Sequence, residues 1–200
     1  MSAVSLIQKL SNSFISKQEL IISVISILAI FGPIVIISSG IWDALSHIRN
    51  EPEFFWTIQH VAVYSGVVMT AIASVLGSIF VIKKFTNKNL KKGIKIVIVG
   101  SIIQIVAGLG DSISHDVFGI DGLVSWSHQP LEFGLVLCAL GGFLIIKSSN
   151  NKKLKKILPF SIVTVIFAIS WLGFNLSLLV GGIILCLPIY VVFSSGCAIL

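Results

Sequence analysis

The sequence predicts an all-α integral membrane protein of about six transmembrane helices, built around an internal parallel repeat of two-span hairpins. Three observations carry this reading. Of the 200 residues, 56% are hydrophobic and 11% charged, with mean hydropathy +1.04; several runs stay apolar for about 18 residues or more, the length that crosses a hydrocarbon core of roughly 30 Å. All thirteen lysines fall in three clusters, before the first run, at 83–95 and at 147–156. The pattern Asp43-x3-His47-x12-His60 returns 68 residues later as Asp111-x3-His115-x12-His128.

Inside lipid a backbone must satisfy its own hydrogen bonds, so each apolar run is expected to be a helix. Residues 1–18 interleave Ser and Lys with Leu and Ile and read as an amphipathic cytoplasmic segment. The first repeat, 19–84, holds a span from Glu19 to about Trp42, kinked at Gly32-Pro33, then the loop Arg49-Asn50-Glu51-Pro52-Glu53, then a return span that begins near Phe54-Phe55-Trp56. Those aromatics suit the membrane interface. A lysine-rich turn, 85–93, leads into the second repeat, 94–147, whose spans flank a loop containing Gly119, Gly122 and Trp126. Pro130 sits in the first turn of the fourth span, where its missing N–H breaks no helical bond. After a second lysine-rich turn, 148–158, the apolar stretch 159–200 is long enough for two spans if the chain turns tightly, and Gly173-Phe174-Asn175 is the expected place.

With lysines on the cytoplasmic side, both termini are cytoplasmic, and seven of the eight acids and all four histidines lie on the outer side. The expected location is the plasma membrane of a prokaryote, with no cleavable signal. The net charge of +6 thus reports topology; with neither a GxGxxG nor a P-loop motif, no nucleic acid or nucleotide partner is expected. The expected partners are the lipid bilayer and either other membrane subunits or a second copy of the chain. Cys138, Cys186 and Cys197 are isolated within apolar runs and read as small core residues.

Laid over one another, residues 32–67 and 100–135 share nine identities, among them Gly32/Gly100, Gly40/Gly108, Asp43/Asp111, His47/His115, His60/His128 and Gly66/Gly134. Two spans restore the chain direction, so the copies are parallel repeats about an axis along the membrane normal. Asp and His four residues apart share one helix face, and two histidines with a carboxylate suit copper, zinc or non-haem iron. The copies differ at one telling place, where Glu132 follows His128 by one turn and Tyr64 follows His60. The candidate metal ligands are therefore Asp111, His115, His128 and Glu132 in the second copy and Asp43, His47 and His60 in the first, with the second favoured. Gln104, on the same face as Asp111 and deeper, reads as interhelical glue.

The segment Asp111-x3-His115-x5-Asp121-x6-His128 resembles the copper-ligand segment of the C subunit of particulate methane and ammonia monooxygenases, and Asp43-x3-His47-x5-Glu53-x6-His60 fits the same spacing with Glu for Asp. The likeness covers about twenty residues per copy; the family carries the segment once and has a Pro shortly before the last His, where this chain has Trp126-Ser127-His128. The repeated pattern is also similar to that of uncharacterised prokaryotic membrane proteins with Asp-x3-His and Trp-x-x-His motifs. The monooxygenase resemblance implies copper at Asp111, His115 and His128, a twin at Asp43, His47 and His60, and, if the chain is an enzyme, metal-dependent oxidation or an accessory role in it. The other readings are a proton-coupled transporter using Asp111, Glu132 and the histidines as a relay, haem held between the copies, and a structural subunit.

Overall fold

In a computed structural model the described residues are 3–49, 56–82, 87–118 and 127–185; of these, the side chains of 3–16, 47, 48, 82, 115, 116, 118 and 182–185 are not described. All the secondary structure among them is helical: α1 Ala3–Ile48, α2 Ile58–Ile82, α3 Lys88–Phe118, α4 His128–Ser148, the single turn α5 Lys152–Lys155, and α6 Leu158–Leu185. Five of these helices are long and apolar enough to cross a membrane, over Lys17–Ser46, Ile58–Val81, Lys88–Ser114, His128–Ser148 and Leu158–Gly181.

Two elements differ from expectation. The N-terminal segment is not a separate surface piece but the first part of α1, which runs 46 residues without a break and continues through Pro33. At 1.5 Å per residue this is about 69 Å, far more than a bilayer, so its first turns project beyond the lysine end. The turn expected at Gly173-Phe174-Asn175 is also not there, because α6 runs straight through it for 28 residues. Asn175 keeps the helix closed by donating from Nδ2 back to the Trp171 carbonyl at 3.0 Å, a local bond that satisfies an amide inside an apolar helix. A sixth span would fall on residues outside those described.

The helices form an up-and-down bundle in which α1 packs on α2, α2 on α3, α3 on α4 and α4 back on α1, with α6 laid against α4 and α1. Lipid tails give helices no hydrophobic reason to associate, so close backbone approach must supply the packing. Glycine supplies it at matching places. A Cβ on Gly66 of α2 would stand 2.7 Å from the Gly32 carbonyl oxygen of α1, and one on Gly134 of α4 would stand 2.6 Å from the Gly100 carbonyl oxygen of α3. The α3–α4 hairpin has a further such crossing at Gly93 and Gly141.

Polar caps fix the lysine end. Asn87 Oδ1 accepts from the Asn89 and Leu90 amides at the start of α3, while its Nδ2 donates to the Ser148 carbonyl at the end of α4. Asn151 caps α5 in the same way. Apolar clusters fill the interior, the larger ones around Ile25, Phe80, Ile94 and Ile145 towards the lysine end and around Ile37, Val67, Leu135 and Ala168 towards the other, with a smaller one of Ile30, Ile146 and Leu154. Between the two larger ones lies a thin polar layer. Thr70 Oγ1 is 2.7 Å from Gln104 Oε1 and Cys138 Sγ is 3.6 Å from the same oxygen. Gln104 is thus the interhelical glue expected of it, joining α2, α3 and α4.

Candidate functional site

The end of the bundle opposite the lysines closes around a cavity of about 50 Å³, lined by Asp43, His60, Asp111, His128 and Glu132 together with Tyr64 and Trp171. Each helix contributes through its local geometry. Asp43 and Asp111 lie in the last turns of α1 and α3, and His60 and His128 in the first turns of α2 and α4, so each hairpin brings one carboxylate and one imidazole to its own mouth. Glu132 follows His128 by one helical turn and therefore shares its face. α4 is the most enclosed of the five spans, with ten of its 21 residues buried, Glu132 among them, which places Glu132 inside the protein rather than against lipid.

The two hairpins hold their Asp/His pairs differently. In the second, His128 Nε2 stands 3.0 Å from Asp111 Oδ1, and that same oxygen accepts the Ser127 hydroxyl at 2.8 Å. In the first, His60 Nε2 is 3.8 Å from Asp43 Oδ2, beyond a hydrogen bond. His60 is oriented instead through its other nitrogen, Nδ1, 3.1 Å from the Thr57 hydroxyl, and Thr57 also caps the start of α2 through the His60 amide at 3.4 Å. Both aspartates and Glu132 are buried.

Among the described residues three buried carboxyl groups and two imidazoles share this wall, and no lysine or arginine lines it. Even with both imidazoles protonated, three ionised carboxylates would leave the cavity one positive charge short. Uncompensated charge in such surroundings is costly, so the cavity calls for protons or a metal cation. Glu132 marks the point most sharply, since its Oε2 is buried with no hydrogen-bonding partner.

Neither a family model, nor a curated protein, nor a solved structure matches this chain. The site is therefore read from its own geometry.

Of the seven candidate ligands, five line one cavity. The side chains of His47 and His115 lie outside the described residues. Among the described residues no three His, Cys, Asp or Glu groups stand close enough together to hold one metal ion; the two pairs face each other across the cavity. Two further residues complete the wall. Tyr64, which follows His60 by four residues as Glu132 follows His128, places its ring against Gly108 and donates from its hydroxyl to the Gly108 carbonyl at 3.2 Å. Trp171 of α6 occupies the corresponding place over Gly40, where a Cβ would be 3.1 Å from Cζ2, and it lines the cavity together with Glu132. Trp171 carried a signal in the sequence, being a tryptophan inside an apolar run instead of at its edge, where membrane tryptophans concentrate.

Proposed function

We propose that this chain is a multi-pass membrane protein whose Asp/His cavity binds one transition-metal ion, copper first among the candidates, at the outer end of an internally repeated bundle. The observation that carries the reading is the convergence of Asp43, His60, Asp111, His128 and Glu132 on one small, cation-poor cavity. Its volume suits an ion and a few waters, a water needing roughly 10–15 Å³ by this measure, and it gives a porphyrin no room. Asp111 and His128 would hold the ion, with His115 as the ligand the sequence motif adds, and Glu132, Asp43 and His60 would face it from the same cavity. Of the two arrangements the motif leaves open, one composite site or two, the shared cavity supports the composite one. Copper takes precedence over zinc and iron through the likeness of the Asp111 to His128 segment to the monooxygenase C subunit, and a role as a monooxygenase-like or accessory subunit follows from that likeness. The repeat is supported by the matching glycine crossings, Gly32 with Gly66 and Gly100 with Gly134, and the outward orientation of the cavity by the lysines at the opposite end.

Metal analysis of detergent-purified protein tests the reading: about one ion per chain is expected in the wild type, and much less in His128→Ala and Glu132→Gln. Wild-type protein without stoichiometric metal, after growth and purification with copper, zinc and iron supplied in turn, would overturn it.

One observation favours a second reading. An imidazole already 3.0 Å from a carboxylate, beside a carboxyl with an unpartnered oxygen, is also the arrangement of a proton relay. That reading predicts pH-dependent uptake into liposomes, abolished by Glu132→Gln, in protein that holds no metal.

A further inference from the structure

A second opening lies at the lysine end, between the start of α3 and the end of α4. It is a groove of about 430 Å³ lined by Asn87, Asn89, Lys92, Leu144, Lys147 and Ser148. The Asn87 side chain ties its two sides together, capping α3 through the Asn89 and Leu90 amides and donating to the Ser148 carbonyl of α4 at 3.1 Å.

Two ammonium groups reach this groove from different helices. Lys147 Nζ stands 5.8 Å from the centroid of the Phe143 ring, a cation–π contact that restrains it. Among the described residues neither Lys92 nor Lys147 has a carboxylate partner, and the acid of this end, Glu19, is exposed on α1. The groove is therefore cationic and without an anion of its own.

Topology alone does not call for these lysines. The turns on either side already carry Lys83, Lys84 and Lys88, and Lys152, Lys153, Lys155 and Lys156, enough for the positive side of a membrane protein. Lys92 stands eight residues before Gly100 and Lys147 thirteen after Gly134, the glycines at which α3 and α4 cross. Counted in the same way from Gly32 and Gly66, where α1 and α2 cross, the positions hold Val24 and Ile79, both exposed. Exposed Lys95 likewise corresponds to exposed Ile27. The same surface positions are thus aliphatic on one hairpin and cationic on the other. A charge within a span is costly where an aliphatic group is not, and an anion beside it offsets that cost.

Farther into the membrane the surface turns apolar. Leu144 forms part of the groove wall, and Lys92, Lys95, Val99 and Ile102 follow one another along a single exposed face of α3. Cations at the end of the span with aliphatic side chains beneath them match a phospholipid, its phosphate at the interface and its chains beside the helices. A headgroup that brings its own cation would meet two ammonium groups, so the match is to a lipid of net negative charge.

We infer that the α3–α4 groove binds one anionic phospholipid, its phosphate held by Lys92 and Lys147 and its acyl chains laid along Val99 and Ile102. The inference rests on the lysine end alone and is independent of what the Asp/His cavity takes.

Native mass spectrometry of the full chain in detergent tests this, with dioleoyl phosphatidylglycerol, dioleoyl phosphatidylcholine and inorganic phosphate titrated in turn. One phosphatidylglycerol per chain is expected to bind in preference to phosphatidylcholine, and inorganic phosphate at equal concentration not to displace it. Lys92→Gln combined with Lys147→Gln should weaken that binding about 25-fold, roughly fivefold for each lysine at a lipid surface. Lys153→Gln combined with Lys155→Gln removes as much charge from the exposed turn α5 and should leave binding within about twofold, because distant exposed charges are screened. Asn89→Trp, which fills the groove and keeps both lysines, should abolish binding. Equal binding of the two lipids, equal loss in the two double variants, displacement by inorganic phosphate, or binding that survives Asn89→Trp would each overturn the proposal.

Discussion

The indole of Trp171 rests on Gly40, with Cζ2 3.1 Å from the place a Cβ would take. Through that contact α6, which belongs to neither hairpin, reaches into the cavity the two hairpins build. The neighbour here is an aromatic ring held in a packed cluster, so it can shift only slightly. Gly40→Ala should cost little, whereas Gly40→Leu should push the indole aside and lower stability by about 1–3 kcal/mol, the range for overpacking. Thermal unfolding in detergent measures the stability, and Trp171 emission, read in a variant lacking the other three tryptophans, reports the displaced ring.

The glycines at the hairpin crossings should be far less forgiving. At Gly134 the atoms a Cβ would meet include the Gly100 carbonyl oxygen at 2.6 Å and the Gln104 amide nitrogen at 3.1 Å, and backbone cannot rotate out of the way. Gly134→Ala is therefore expected to lower the unfolding midpoint markedly and to separate α3 from α4. Gly173 has nothing within 4 Å of the same position, so Gly173→Ala should be neutral or stabilising by about 0.5–1 kcal/mol. Equal effects of the two substitutions would contradict the packing described.

Double-mutant cycles should rank the two Asp/His pairs. At 3.0 Å, with Ser127 on the same oxygen, Asp111 and His128 are expected to couple by about 1–3 kcal/mol. At 3.8 Å, Asp43 and His60 should couple by less. Chemical unfolding of Asp111→Asn, His128→Ala and the double variant, set beside the same three at Asp43 and His60, makes the comparison.

The mid-membrane polar layer gives a prediction of opposite character. Thr70→Val alone takes the hydroxyl from the Gln104 side-chain amide, leaving it only the weak contact with the Cys138 thiol, and should destabilise by about 0.5–2 kcal/mol, the lower end being usual inside membranes. Adding Gln104→Leu removes both partners of that contact, so the double variant should regain most of the loss. A double variant less stable than Thr70→Val would show that the amide has a further role in holding the helices.

How much of this was legible beforehand follows from where each signal comes from. Length and hydropathy located the spans of α2, α3 and α4 closely, the Asp/His spacing singled out four of the residues that line the cavity, and the contrast with Tyr64 added Glu132. The direction in which the helices face one another was not legible, because in lipid the outward and inward faces are both apolar and the periodicity that marks a buried face in water is lost. For that reason the sequence left open whether the two copies make one composite site or two. Gly173 and Asn175 looked like a turn by residue type, but Asn175 bonds to its own helix at the Trp171 carbonyl and the helix continues. Tyr64 was visible only as the residue that replaces Glu132, and its role as a wall depends on Gly108 lying opposite it.

α6 has one more consequence. A bundle of two matched hairpins would look the same after half a turn about the membrane normal, and a neighbour or a ligand could approach it equally from either side. With α6 in place the molecule has a front and a back in the plane of the bilayer. Its back presents a long apolar helix, and among the described residues its front leaves the seam beside Tyr64 clear.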